Sequence, residues 1–420
     1  MKIIQVEVDA NGKLSFSEEF NRQYGIQPGA KIYVDETAKG PRLRMPVSNL
    51  KKVYVEPTNR CNLDCRICMR HAWDEPLGQM SPKTFSGIIE SLREFSPPPT
   101  VFFGALGEPL SHPDILEMVV RAKALGSSVE LITNGTLLTE DLSKRLIEAG
   151  LDVLWASLDG VTPESYGDIR LGALLPQVLA NLKIFRKAGW REPNSYQAEG
   201  FRIKPEIGIV FVAMKRNIRE LPALLNLATE LGATRVLVSN VLPYTEEMGK
   251  EVLYSQSLTN TAYKSSAFRL DLPKMDIDDS TKHSLYLSMK ADHSVSFVRS
   301  HFSEANDYCP FVEQGTTAIN WEGSLSPCLP LLHSHKNYFE GIERHSRRYA
   351  IGNVNEESIK GLWNNPEYLH FRERVQAFDF APCTYCGGCA LLGDNEKDCM
   401  GNSFPACGAC LWAQGVVQCP

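Results

Sequence analysis

Between Val53 and Asn240 the chain passes repeatedly from a short apolar stretch to a longer amphipathic one, and no other feature restricts its fold as tightly. The strand-like stretches are 53–55, 100–103, 129–133, 153–157, 207–212 and 236–239. The spacing predicts helices over 82–95, 113–125, 139–149, 175–188 and 218–231, with Gly126, Gly150, Gly189 and Gly232 where a helix should stop. Strands and helices in strict alternation imply a parallel sheet with right-handed crossovers. A closed eight-unit barrel needs about 250 residues, and 53–240 falls short of that. The expectation is an α/β chain built on an incomplete (β/α)6 barrel, with functional residues at the C-terminal ends of its strands.

Directly after the first strand stands Cys61-Asn62-Leu63-Asp64-Cys65-Arg66-Ile67-Cys68, a C-x3-C-x2-C run. Most iron–sulfur cubanes take four cysteine ligands. Three thiolates in one loop therefore suit a four-iron cluster with one iron left open. A zinc knuckle is the other reading, and His71 could supply its fourth ligand. The remaining cysteines bear on the compartment. None lies between 69 and 308, and nine crowd the stretch from Cys309 to Cys419. Such clusters, behind an N-terminus with no signal-peptide apolar region, point to metal ligation in a reducing cytoplasm. A net charge of -6 argues against bulk nucleic-acid or anionic-membrane binding, and no apolar run approaches the length of a bilayer span.

The triad and the motifs at the later strand ends resemble the radical S-adenosylmethionine (SAM) superfamily. Gly104-Ala105-Leu106-Gly107-Glu108-Pro109, after the second strand, resembles that family's G-G-E-P motif, with Leu106 in place of the first glycine. Thr133-Asn134-Gly135 and Ser157-Leu158-Asp159-Gly160 end the third and fourth strands in its manner. The resemblance implies a [4Fe-4S] cluster on Cys61, Cys65 and Cys68 whose open iron chelates SAM, and a 5′-deoxyadenosyl radical formed by reductive cleavage. It also implies that Gly107 and Glu108 hold the SAM amino group, that Ser157 contacts its ribose or carboxylate, and that Arg170 pairs with its carboxylate through a bidentate fork. Ile67 stands where the family usually has an aromatic residue against the adenine, and Gly208 is a candidate for close approach of that ring. No general base is assigned.

Residues 1–46 read as a small β unit. Apolar alternation at Ile4, Val6 and Val8, a turn at Asp9–Gly12, alternation again at Leu14 and Phe16, a short helix from Ser17 and a strand over 31–34 come in that order. This order resembles the AbrB-type swapped-hairpin domain, which dimerises and often binds DNA. Basic and acidic residues nearly cancel here, which favours a homodimer or protein docking over DNA. Residues 50–240 form the barrel. Residues 241–308, polar and turn-prone but with spaced aromatics, read as a substrate-facing insertion or a linker.

Residues 309–420 hold Cys309, Cys328, Cys383, Cys386, Cys389, Cys399, Cys407, Cys410 and Cys419. The opening, Cys309-x13-Gly323-x4-Cys328, resembles the SPASM extension of radical SAM proteins, which implies two auxiliary [4Fe-4S] clusters. The usual C-x2-C-x5-C-x3-C does not recur after Cys383, and nine cysteines exceed two cubanes by one. Cys383-x2-Cys386-x20-Cys407-x2-Cys410 also has the spacing of a zinc ribbon. Across nearly the whole chain, domain order and the Cys-rich tail resemble the radical SAM maturases associated with tungsten-cofactor oxidoreductases. That implies a protein, peptide or pterin-cofactor substrate, such as a tungsten oxidoreductase, and an electron donor such as ferredoxin or flavodoxin. A SPASM maturase of peptides or sulfatases is a second reading. A DNA-binding redox regulator is a third, though it would have no use for the Gly107, Glu108 and Ser157 positions.

Overall fold

A run of β-branched and aromatic residues that is apolar on both faces can be satisfied only inside a sheet covered on both sides. The computed structural model describes residues 7–8, 10–24, 26, 32–37, 40–44, 46–189, 205–254, 269–273, 275–276, 278–284, 287, 294–297, 308–339, 341–381, 383–386 and 390–420. Two antiparallel pairs come first, β1 (Glu7–Val8) with β2 (Leu14–Ser15) and β3 (Tyr33–Thr37) with β4 (Gly40–Arg44), flanking helix α1 (Glu18–Tyr24). The main sheet comes next. Its parallel strands are β5 (Lys52–Val55), β6 (Thr100–Phe103), β7 (Val129–Thr133), β8 (Val153–Ser157), β9 (Glu206–Ala213) and β10 (Arg235–Asn240), each beside the next.

The helices between them begin where the sequence supplies caps. Ser81 accepts from Thr84 N at the start of α2 (Pro82–Leu92), and α3 (Ile115–Ala124) comes after β6. Thr139 caps α4 (Glu140–Glu148), and Thr162 with Ser165 makes a capping box on α5 (Pro163–Ile169). Helices α6 (Leu175–Gly189) and α7 (Leu221–Glu230) complete the layer. Side chains alternate across the sheet with period two. Val53, Val55, Val101, Phe103, Leu154 and Ala156 face the helix layer. Tyr54, Phe102, Trp155, Val210 and Leu237 face the other way, onto Phe311, Cys328 and Leu331 of the C-terminal region.

Two features depart from the expected six-stranded core. Residues 241–308 are not wholly insertion, because β11 (Arg269–Leu272) and β12 (Ser294–Phe297) add two more parallel strands beyond β10. Their sequences, Arg-Leu-Asp-Leu and Ser-Val-Ser-Phe, are short and half polar, so no apolar run marks them. On the opposite edge, β13 (Thr316–Ile319) lies parallel to β5, β14 (Ser324–Ser326) pairs antiparallel with β13, and β17 (Gly352–Asn353) pairs antiparallel with β14. A separate pair, β15 (His335–Phe339) with β16 (Ile342–Ser346), stands between them in the chain. The C-terminal extension therefore begins as a continuation of the barrel sheet.

Candidate functional site

The strand ends converge on the cysteine loop. Gly107 is required there by close approach: a Cβ would stand 2.0 Å from the Thr58 carbonyl oxygen and 2.7 Å from that of Arg60. Glu108 N donates to the same Arg60 oxygen at 2.9 Å, which seats the Gly-Glu-Pro loop on the segment between β5 and Cys61. The Glu108 carboxylate, 2 % exposed, accepts from Thr133 Oγ1 (2.7 Å), Leu110 N (3.1 Å) and Asn134 N (2.8 Å). Burial raises its pKa, and those donors pull it back. All three donors are neutral. The pocket thus holds an oriented carboxylate whose charge a bound cation would offset.

Each cysteine of the triad has a donor of its own. Leu63 N (3.5 Å) and Asn134 Nδ2 (3.8 Å) approach Cys61 Sγ, Arg70 Nε reaches Cys68 Sγ at 3.4 Å, and Arg170 Nη1 lies 4.0 Å from Cys65 Sγ. Burial pushes the Cys61 and Cys65 thiols up. N–H groups aimed at sulfur are one of the means by which proteins tune iron–sulfur clusters. His71, the fourth ligand of the zinc reading, turns Nε2 to the Cys65 carbonyl (3.1 Å) and the Asp64 carboxylate (3.3 Å), so that nitrogen is spent away from the thiols. Ile67 packs with Ile169, Met214 and Val241, an aliphatic wall beside the triad. Ser157 is 8 % exposed, and its hydroxyl takes no partner among the described residues.

Two expectations change. Arg170 does not present an open fork: its Nε (2.7 Å) and Nη2 (2.6 Å) both donate to Asp159 Oδ2, while Asp159 Oδ1 accepts from Val212 N (2.8 Å). Asp159 is fully buried and commits the guanidinium, leaving only Nη1 toward Cys65. Gly208 makes room for a side chain of the protein itself, since a Cβ there would stand 2.3 Å from the Trp155 ring.

In the C-terminal region Cys309, Cys328, Cys407 and Cys410 line one cavity. Cys383 opens the short helix Cys383–Cys386, Cys399 is exposed, and Cys419 Sγ accepts from the Trp412 indole at 3.3 Å. Cys389 and the Cys386 side chain lie outside the described residues. One group was not visible in the sequence. His333, buried, directs Nε2 to Glu56 (3.1 and 2.9 Å) and Nδ1 to Glu75, tying the segments on both sides of the cysteine triad to the C-terminal extension.

Comparison with known proteins agrees with this arrangement. Residues 55–200 match the radical SAM superfamily, and 309–390 match SPASM, an iron-sulfur cluster-binding domain. The chain is 32% identical over 375 residues to the tungsten-containing aldehyde ferredoxin oxidoreductase cofactor-modifying protein of Pyrococcus furiosus, covering 88% of this chain and 97% of that one. It is 29% identical to the PqqA peptide cyclase of Gluconobacter oxydans over 46% of this chain and 49% of that one. Streptococcus suis SuiB bound to S-adenosylmethionine shares the fold, with a TM-score of 0.53 at 15% identity, over 81% of this chain and 71% of that one.

Proposed function

The chain belongs to the radical SAM superfamily and carries a SPASM domain, and on that premise we propose that it matures a tungsten-containing oxidoreductase by modifying the enzyme or its pterin-type cofactor. The observation that carries the tungsten assignment is likeness to the Pyrococcus protein along nearly the full length of both chains. The match to the peptide cyclase spans less than half of each chain, which leaves peptide maturation as the second reading.

When bound, the cluster and SAM supply the chemistry: an electron passed to the sulfonium yields the 5′-deoxyadenosyl radical that abstracts hydrogen from the substrate. The protein's part falls to named side chains. Cys61, Cys65 and Cys68 hold the cluster, and Asn134, Arg170 and Arg70 offset the charge of their sulfurs. Glu108, oriented by Thr133 and Asn134, takes the SAM ammonium, and Gly107 lets that loop lie against the cysteine loop. The Ser157 hydroxyl takes the ribose or carboxylate, and Ile67 with Met214 packs on the adenine and excludes water. Arg170 acts on the cluster side through its Asp159 pair, and not on the SAM carboxylate.

The barrel's partners are an electron donor of the ferredoxin or flavodoxin kind and a second copy of the chain held through residues 1–46. In that unit Val8, Leu14, Tyr33 and Val34 stay exposed, Val8 at 63%. No helix among the described residues is long and apolar enough to cross a membrane. The cysteine distribution supports a cytoplasmic setting.

The test is anaerobic incubation with SAM, dithionite and an apo tungsten oxidoreductase, followed by mass mapping of enzyme and cofactor. Formation of 5′-deoxyadenosine coupled to a mass change in that substrate is expected, and Cys65→Ala should abolish both. SAM cleavage without any change in the oxidoreductase or its cofactor, but with modification of a peptide, would shift the function to the second reading.

A further inference from the structure

We propose that Cys309, Cys328, Cys407 and Cys410 together ligate a single auxiliary four-iron cluster, closed to substrate, and that Cys419 ligates no cluster. This rests on the auxiliary-cluster reading and assigns which cysteines share a cubane, something the departure from the SPASM spacing leaves open.

The four thiols come from segments far apart in the chain and meet around one cavity of about 70 Å³. One water needs roughly 10–15 Å³ by this measure, so the space exceeds a packing defect. Cys309 precedes the helix Pro310–Glu313, and Cys328 lies just past β14. Cys407 and Cys410 share one turn, closed by Cys410 N donating to the Cys407 carbonyl at 3.0 Å. All four are free thiols. Several thiolates at such a site repel one another unless a cationic metal core lies among them.

The walls suit that core. Apolar residues such as Leu242, Phe371 and Leu411 surround the sulfurs, and Arg344 brings one buried cation. Its guanidinium is fixed by bonds to the Leu392 (2.9 Å) and Ala409 (3.1 Å) carbonyls. Four sulfurs in a largely apolar wall, which His335, Asn337, Ser346 and Asn395 also line, fit an iron–sulfur cluster.

The same geometry opposes the zinc ribbon, which would join Cys407 and Cys410 to Cys383 and Cys386. The cavity joins them to Cys309 and Cys328, and Cys383 does not line it. Cys419 is not among the residues lining the cavity, although it packs on the same apolar cluster as Cys309 and Cys328, and its Sγ accepts from the Trp412 indole. Setting these five aside leaves Cys383, Cys386, Cys389 and Cys399, the number a second cubane needs. Four protein thiolates leave no open iron, so the cluster in this cavity cannot hold substrate by direct ligation.

The experiment counts iron and records electron paramagnetic resonance spectra of the reduced, anaerobically reconstituted full chain, in a background with Cys61, Cys65 and Cys68 all changed to Ala. That background should hold about eight irons from two cubanes. The pairs Cys309→Ser/Cys410→Ser and Cys328→Ser/Cys407→Ser should each lose about four irons and the same spectral signal, the surviving signal reporting an intact fold. The pair Cys383→Ser/Cys410→Ser should lose about eight, and Cys419→Ser none. Should a pair fail to fold, Cys410→Ser alone decides, since it should alter one signal and leave the other. Loss of all iron from a folded within-set pair, loss of only one cubane from the Cys383/Cys410 pair, or loss of iron from Cys419→Ser overturns the proposal. Near-zero iron with one bound zinc in the background itself overturns the auxiliary-cluster reading as a whole.

Discussion

His333 is the residue whose charge state matters most to the frame around the SAM site. Both ring nitrogens face carboxylate oxygens, and only the doubly protonated ring can donate to both. Burial lowers its pKa, but the hydrogen bonds and charges of Glu56 and Glu75 outweigh that and raise it to about 9, from an ordinary value of 6.5. A folded-state pKa above the unfolded one gives stability that is complete below the unfolded value and is lost as pH rises through the folded one. Between pH 6.5 and 9 the protein should therefore lose stability on the order of 3 kcal/mol. Denaturant midpoints at pH 6 and pH 9.5 test this. His333→Asn should be weaker at pH 6 and change little with pH, and a parallel decline in both proteins would sink the assignment. Residues of this kind were not legible in the sequence, because Glu56 and His333 are 277 positions apart. The cysteine triad was legible because its three thiols share one loop. Arg170 lies between these cases: its presence near the site could be read, but the claim Asp159 has on its fork could not.

At the scale of elements, the strands β5 to β10 could be read because burial on both faces writes an unbroken apolar run. Strands β11 and β12 could not, and neither could β4, whose Gly-Pro-Arg-Leu-Arg carries polar residues and a proline. The N-terminal hairpins show where reading stops for a different reason. Of the apolar residues read there, Ile4 and Val6 lie outside the described residues, and within one chain Val8, Leu14, Tyr33 and Val34 are exposed. Two-stranded pairs are marginal alone, and under the proposed pairing a second copy would cover these side chains. Deleting residues 1–46 should shift the protein from dimer to monomer in analytical ultracentrifugation while leaving uncoupled SAM cleavage within about twofold. A deletion variant that stays dimeric, or a parent that binds DNA tightly with steep salt dependence, would refute the role.

For the molecule as a whole, the sheet joins what the chain separates. Strand β5, which leads into the cysteine triad, has β6 on one side and β13 on the other. Its second neighbour thus arrives only with Thr316–Ile319. A chain ending at residue 308 should expose that edge of β5 together with the inner face that Phe311, Cys328 and Leu331 cover. Light scattering should show it growing into large aggregates, whereas a well-behaved species with native-like circular dichroism would show that β13 is dispensable. The pairing also orders events in time. On the ribosome the loop of Cys61, Cys65 and Cys68 emerges early, but the strand beneath it stays half-zipped until some 250 further residues have been made, about 12–50 s at 5–20 residues per second. Through that interval three thiols and a bare strand edge are exposed together, so the cell must shield the nascent chain from oxidant and from its neighbours before iron can be of any use to it.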